Sequence, residues 1–267
     1  MRIAGHISHV TPDIPMPLRD FEDSTLWRIS AFERMRLQTG SSGFARLEGP
    51  TVLPTTLLAD LQNLQGDLFR GDVLDIMAVC LRHREAALMC LQHEQLVWPV
   101  TLFPSQMLYH SPRDMAEASV NGLASLKVLT VEPPGVKPPG HWMHERVAHV
   151  DQYRPLVPLL WSMALHGPRG NVLSEIGGRS NYRAVNGLDG ELPKVTGALG
   201  SAVQRLRRES SSLRDIASWP GMSVERANRL LNAMYLSGNL MVIRTQSTAP
   251  PRPYFGAGSA GKNKTRR

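Results

Sequence analysis

The side chains best suited to chemistry fall in one short run, His141, His144, Glu145, His149 and Asp151, reading H-x-x-H-E-x-x-x-H-x-D. Imidazoles beside carboxylates can hold a divalent metal or relay a proton. A helical zinc site of the metalloprotease kind needs two histidines one turn apart with a glutamate beside the first. His144 and His149 are five apart, which turns them away from each other on a helix. His141 and His144 can share a face, but no third ligand is specified, so the run reads as a polar helix start and no metal site is expected. Cys80 with His83 invites a thiol–imidazole reading, because a histidine can activate a cysteine nucleophile. On an apolar helix, however, Cys80 is expected to point into the core with His83 at its edge. Gly256, Gly258 and Gly261 match G-x-G-x-x-G, yet that fingerprint works only between a strand and a helix, and here it lies in a Ser/Pro/Gly/Ala-rich stretch. Neither a phosphate-binding G-x-x-x-x-G-K-[ST] loop nor a G-x-S-x-G elbow occurs. No catalytic residue and no cofactor is expected, and the chain reads as a non-enzyme.

The elements that would position any site follow from periodicity and punctuation. A helix is predicted at Ser24–Leu37 within residues 1–48. From 49 to 132 the pattern is that of an α+β domain. Thr55–Leu64 has helical spacing, and Asp72–Arg84 carries Val73, Ile76, Met77, Cys80 and Leu81 on one face. Strand-like runs follow at Ala87–Gln92, Leu96–Phe103 and Gln106–His110, with His93-Glu94-Gln95 as a hairpin connection. Pro99 argues that the second run is an edge strand or carries a bulge, since proline has no N–H for a ladder. Pro112–Val120 reads as a helix and Leu126–Val131 as a last strand. Glu132–Gly140, EPPGVKPPG, is the expected domain boundary, with 133–140 as the linker. Cys80 and Cys90 are expected to be reduced core residues, which fits a cytoplasmic protein.

Charge is divided unequally along the chain. Residues 194–267 carry thirteen Lys/Arg against three Asp/Glu, whereas 1–193 carry seventeen against twenty, so the formal net charge of +7 comes from the last quarter. Such asymmetry points to an anionic partner, nucleic acid or a membrane surface. No apolar run is long enough to span a bilayer, and no membrane partner is expected. The composition of 246–267, ending KNKTRR, predicts a disordered basic tail.

Within 141–245 the pattern is helical: Val157–Leu165 stopped by HGPRG, then Gly197–Arg208. A short helix begins at Ser212 with Leu213, Ile216 and Ala217, and Pro220-Gly221 forces a turn. Ser223 caps Val224–Leu236, whose apolar residues keep the 3.6 period, and Leu240–Arg244 is a short β-run. The stretch LRDIASWPGMSVERANRLLNAMYLSGNLMVIRT resembles the winged-helix superfamily over about fifty residues. The resemblance implies that the third helix enters a major groove, presenting Arg226, Asn228, Arg229 and Asn232, with Glu225, as its outward side chains. Arginine can bond guanine and asparagine adenine in bidentate fashion. Arg205, Arg207, Arg208 and Arg214 are the candidate phosphate contacts. The chain departs from the family in having no second strand after Leu240–Thr245 to complete a wing.

Two partners therefore stay open. DNA is one. The other is a protein, since winged helices also serve as adaptors and a truncated wing fits that use. A homodimer is compatible with either. Leu159–Leu165, Asn171–Ile176 and Ser180–Val185 repeat the helix, L-x-x-I and turn order, and are read as a candidate second copy of the unit. The expected fold class is α+β, with a mixed N-terminal domain for sensing or association and a winged-helix-like C-terminal region.

Overall fold

The computed structural model describes residues 26–40, 42, 44, 52–64, 72–115, 118, 122–142, 150–185 and 195–244. The fold is mixed α+β. Its first half begins with β1 (Trp27–Arg28) and α1 (Ile29–Thr39), followed by α2 (Thr55–Leu64) and α3 (Val73–His83). Asp72 caps α3 by accepting the Leu74 N–H, and Asp75 sits in the first turn where a negative charge meets the positive helix end. The strands are β2 (Ala87–His93), β3 (Leu96–Phe103), β4 (Leu108–His110), β5 (Lys127–Glu132) and β6 (Tyr153–Pro155). They form an antiparallel sheet in the order β5-β2-β3-β4-β6, with β1 paired to β3.

Strand alternation sends side chains to two covered faces. Met89, Leu91, Trp98, Val100 and Leu102 join the main core with Leu74, Met77 and Cys80 of α3, while Leu88, Cys90 and Val97 pack with Phe32 of α1. Cys80 and Cys90 are free and buried in these two separate clusters. Pro99 does not mark an edge. It lies in a central strand, but on the side away from β2 the partners are β1 at Leu96–Val97 and β4 at Thr101–Phe103, so Pro99 falls in the gap where no donor is required.

The Pro/Gly stretch does not part the two halves. β6, which follows it, completes the first sheet by pairing with β4, and the Tyr153 hydroxyl donates to the Lys137 carbonyl. The main core then runs on without a break through α4 (Leu156–His166) into the C-terminal helices. Those are α5 (Gly197–Arg208), α6 (Leu213–Ala217) and α7 (Val224–Leu236), with strands β7 (Ser180–Ala184), β8 (Ser211–Ser212) and β9 (Leu240–Arg244).

Local signals account for these boundaries. Ser212 and Asp215 form a reciprocal capping box at α6. The Ser223 hydroxyl accepts the Arg226 N–H at 3.1 Å and starts α7. Gly221 at φ 73° and Gly238 at φ 71° take left-handed conformations that a side chain would strain, one turning α6 toward α7 and the other ending α7.

One expectation is corrected. The candidate second copy does not form: after α4 the Leu173–Ile176 segment is a turn, and Ser180–Ala184 is a strand with alternating burial. The residues after Leu240–Arg244, where no second wing strand is expected, lie outside the described residues. In the C-terminal sheet β7, from upstream of α5, lies between β8 and β9 and is antiparallel to both. Among the described residues no helix is long and apolar enough to cross a membrane. The predicted tail 246–267, residues 116, 117, 119 and 120 of the predicted helix 112–120, and His144, Glu145 and His149 lie outside the described residues.

Candidate nucleic-acid interface

The eight basic and amide residues singled out in the C-terminal region divide sharply by position. α7 packs against α6 on one side and α4 on another, and nearly every residue from Ala227 to Ser237 is buried or half-buried. Asn232 is wholly buried: its Oδ1 accepts the Leu173 N–H at 2.8 Å, and its Nδ2 donates to the Asn171 carbonyl at 2.9 Å. Asn228 is buried too and donates to the Gly170 carbonyl at 3.0 Å. Arg229 points toward the end of α4, giving its Nη1 to the Leu165 and Gly167 carbonyls at 3.0 and 2.9 Å. Its Nε pairs with Glu225 at 3.0 Å. These side chains do not face outward. They stitch α7 to the α4 end and the 167–173 loop, because α4 covers the face that helical periodicity alone leaves polar. Arg229 satisfies carbonyls that a helix end leaves without partners.

The remaining arginines lie on α5, α6 and the first turn of α7, all exposed. Arg205 stacks its guanidinium 4.6 Å from the centre of the Trp219 ring and bonds Glu209 at 2.5 Å. Arg226 donates to the Gly221 carbonyl at 2.6 Å. The side chains of Arg207, Arg208 and Arg214 make no hydrogen bond or ion pair with any described residue, although the Arg214 charge helps hold the neighbouring Asp215 carboxyl down. Ser201, Gln204, Arg205, Arg208 and the following Glu209 line a shallow groove along one side of α5, at the i, i+3, i+4, i+7 and i+8 spacing of a helical face.

All three acids between 195 and 244 are engaged, Glu209 and Glu225 by arginines and Asp215 by Ser212. The Ser212 side-chain and backbone bonds hold the Asp215 carboxyl below its ordinary value of 3.8. A depressed carboxyl favours the folded state above its unfolded value and loses that contribution as pH falls through the folded one. Acid titration of α6 by circular dichroism should therefore show the capping box failing below about pH 4. Asp215→Asn should flatten that limb, and an unchanged limb in this variant would remove Asp215 as its source.

A second set of contacts, absent from the sequence reading, fastens the halves together. Arg82 of α3 bonds Asp60 of α2 at 2.7 Å and also Glu175, whose other oxygen accepts the Tyr235 hydroxyl at 2.7 Å. Arg244 of β9 donates to the Glu175 carbonyl at 2.9 Å. Nearby, Arg169 pairs with Asp75 at 2.5 Å and lies 3.6 Å from Asp72. No sequence signal marks these partners, which are separated by more than ninety positions in the Arg82–Glu175 and Arg169–Asp75 pairs.

The discarded catalytic groups have structural settings. Cys80 is wholly buried and its thiol is pushed up to about 12 by desolvation, so it is not a thiolate nucleophile. His83 turns to Asp60 at 2.7 Å. Among the described residues no three His, Cys, Asp or Glu side chains come together as a metal site. No protein-family model matches the chain, no curated protein matches it in sequence, and no solved structure matches it in fold.

Proposed function

We propose that the protein is a non-enzymatic cytoplasmic regulator whose C-terminal unit, residues 180–244, is a winged-helix-like module that binds DNA through its phosphates. The N-terminal α+β part is the sensing or association half. The observation that carries this reading is charge balance. Every acid between 195 and 244 is already engaged, whereas the exposed side chains of Arg207, Arg208 and Arg214 form no ion pair or hydrogen bond with a described residue. The order α5, β8, α6, α7, β9 with a three-stranded sheet supports the winged-helix part.

Base readout by the third helix is given up for Asn228, Arg229 and Asn232, whose side chains turn inward and donate to carbonyls of residues 165–171. Binding then rests on sequence-independent phosphate contacts from α5 and α6, with Arg226 at the tip of α7. Each such contact contributes about 0.9 to the slope of log K against log salt. Full-length protein should bind duplex DNA with a steep salt dependence and little sequence preference. The combined Arg207→Ala, Arg208→Ala, Arg214→Ala variant should lower the slope by roughly 2–3. An unchanged slope, or no binding at low salt, would sink the proposal.

The alternative is an adaptor that docks a protein partner, favoured by one observation: α4 covers the face of α7 that DNA-reading helices leave free. Capture of a protein by the same arginine face, with no DNA retained, would move the weight there.

A further inference from the structure

Three consecutive serines, Ser210, Ser211 and Ser212, follow directly on Arg207, Arg208 and Glu209 at the end of α5. Their hydroxyls have different settings. Ser211 lies in β8 and is only 7% exposed. The Ser212 hydroxyl is held in the capping box of α6, donating to the Asp215 carboxylate and accepting the Asp215 N–H. Ser210 is exposed, and its hydroxyl bonds no described residue. The backbone on either side of it is extended: Glu209, which ends α5, has φ −136° and ψ 153°, and β8 starts at Ser211. Ser210 therefore sits on an open, extended connection beside the end of the α5 groove that Arg208 and Glu209 line.

Two arginines at the third and second positions before a serine make a charge pattern that an acidic kinase cleft selects. Arg207 and Arg208 are exposed, and their side chains form no hydrogen bond or ion pair with a described residue. Glu209, between them and the serine, does not offset them, because it is paired with Arg205 at 2.5 Å.

We propose that Ser210 accepts a phosphoryl group from a serine kinase with an acidic substrate cleft, and that the resulting phosphoserine switches DNA binding off. The inference rests on the DNA-binding reading above. In the transfer the Ser210 Oγ bonds the γ-phosphorus of a nucleoside triphosphate and the bond from that phosphorus to the β,γ-bridging oxygen breaks. Nucleoside diphosphate leaves, and the hydroxyl proton passes to solvent. The product carries a charge of about −1.5 to −2 at neutral pH and three strong acceptor oxygens. Consecutive Cα atoms are about 3.8 Å apart, so the Arg208 Cα lies at most about 7.6 Å from that of Ser210, within reach of an arginine side chain. Pairing with the phosphoserine withdraws from DNA the same guanidinium groups that contact its phosphates. Kinase and DNA compete for these arginines, so bound protein is protected and released protein is modified.

The test uses full-length protein, magnesium ATP and, as the source of kinase, an extract of the cells that make the protein. Tandem mass spectrometry should place one phosphate on Ser210 and none on Ser211 or Ser212. Ser210→Ala should abolish the transfer, and the double variant Arg207→Ala, Arg208→Ala should lose it as well. Saturating duplex DNA should slow it. Separately, Ser210→phosphoserine introduced during synthesis should lower the DNA salt slope by roughly 2, two neutralised contacts at about 0.9 each. Ser210→Ala should bind DNA as the wild type does. No phosphate on Ser210 overturns the proposal, and so does equal transfer to the double arginine variant. A phosphoserine protein with the wild-type slope overturns the switch. A slope that falls together with the helical circular-dichroism signal also overturns it, by making unfolding of α5 the cause. No DNA binding by unmodified protein at low salt is the separate failure of the DNA reading, and it removes the switch while leaving the mapped phosphate in place.

Discussion

Tyr182→Ala will lower the unfolding free energy by about 3–5 kcal/mol, the cost of removing a fully buried aromatic side chain and leaving a cavity. Tyr182 sits at the centre of β7, the middle strand of the small sheet, and is 1% exposed. Its hydroxyl donates to the Ile176 carbonyl at 2.7 Å, anchoring the turn that leads into the strand. The comparison variant is Tyr182→Phe, which keeps the ring and should cost about 1 kcal/mol. Urea denaturation followed by circular dichroism separates the two. If Tyr182→Ala melted like wild type, β7 would not be the strand that joins β8 to β9. The same geometry bears on how DNA binding is tested. Cutting the chain after β7 removes both its sheet partners and takes α7 away from α4, so point variants in the full chain are the informative reagents.

Asn232→Ala will cost about 2–3 kcal/mol of stability, because it leaves the Leu173 N–H buried without an acceptor and strips the donor from the Asn171 carbonyl. It will leave the salt slope and the sequence preference of DNA binding unchanged. A groove-facing asparagine would behave in the opposite way, with normal stability and altered base preference. Measuring both quantities on the same preparation distinguishes the two roles. Loss of base preference at unchanged stability would return Asn232 to the interface.

The two variants bear on different kinds of inference from sequence. Local chemistry was legible. The α5, α6 and α7 boundaries at Gly197–Arg208, Ser212-capped Leu213, Val224–Leu236 and the strand Leu240–Arg244 are all written in caps, glycines and apolar periods. These signals act over three to five residues and owe little to the rest of the chain. The β2–β3 hairpin and the inward-facing Cys80 helix were legible for the same reason. Pro99 was misread because a missing donor excludes only a position whose N–H must bond, not a central strand, and two short partners on one side leave room for it.

The burial of particular polar side chains was not legible. Helical periodicity identifies an apolar stripe on α7 but cannot say whether a second element covers the opposite side. α4, some sixty residues upstream in its contacts with Arg229, does cover it. That turns Asn228, Arg229 and Asn232 from apparent groove readers into internal fasteners.

By itself the sequence determined the helices Gly197–Arg208 and Val224–Leu236, the Pro220-Gly221 turn and the strand Leu240–Arg244, and that the last quarter of the chain is cationic. Those properties depend on neighbouring residues and on composition. Only the tertiary structure decided that β7 enters the sheet ahead of α5, that β6 joins the first sheet across the Pro/Gly stretch, and which arginines remain exposed. Each of those outcomes depends on pairing between distant segments, whose free energy comes from burying surfaces that no local window contains.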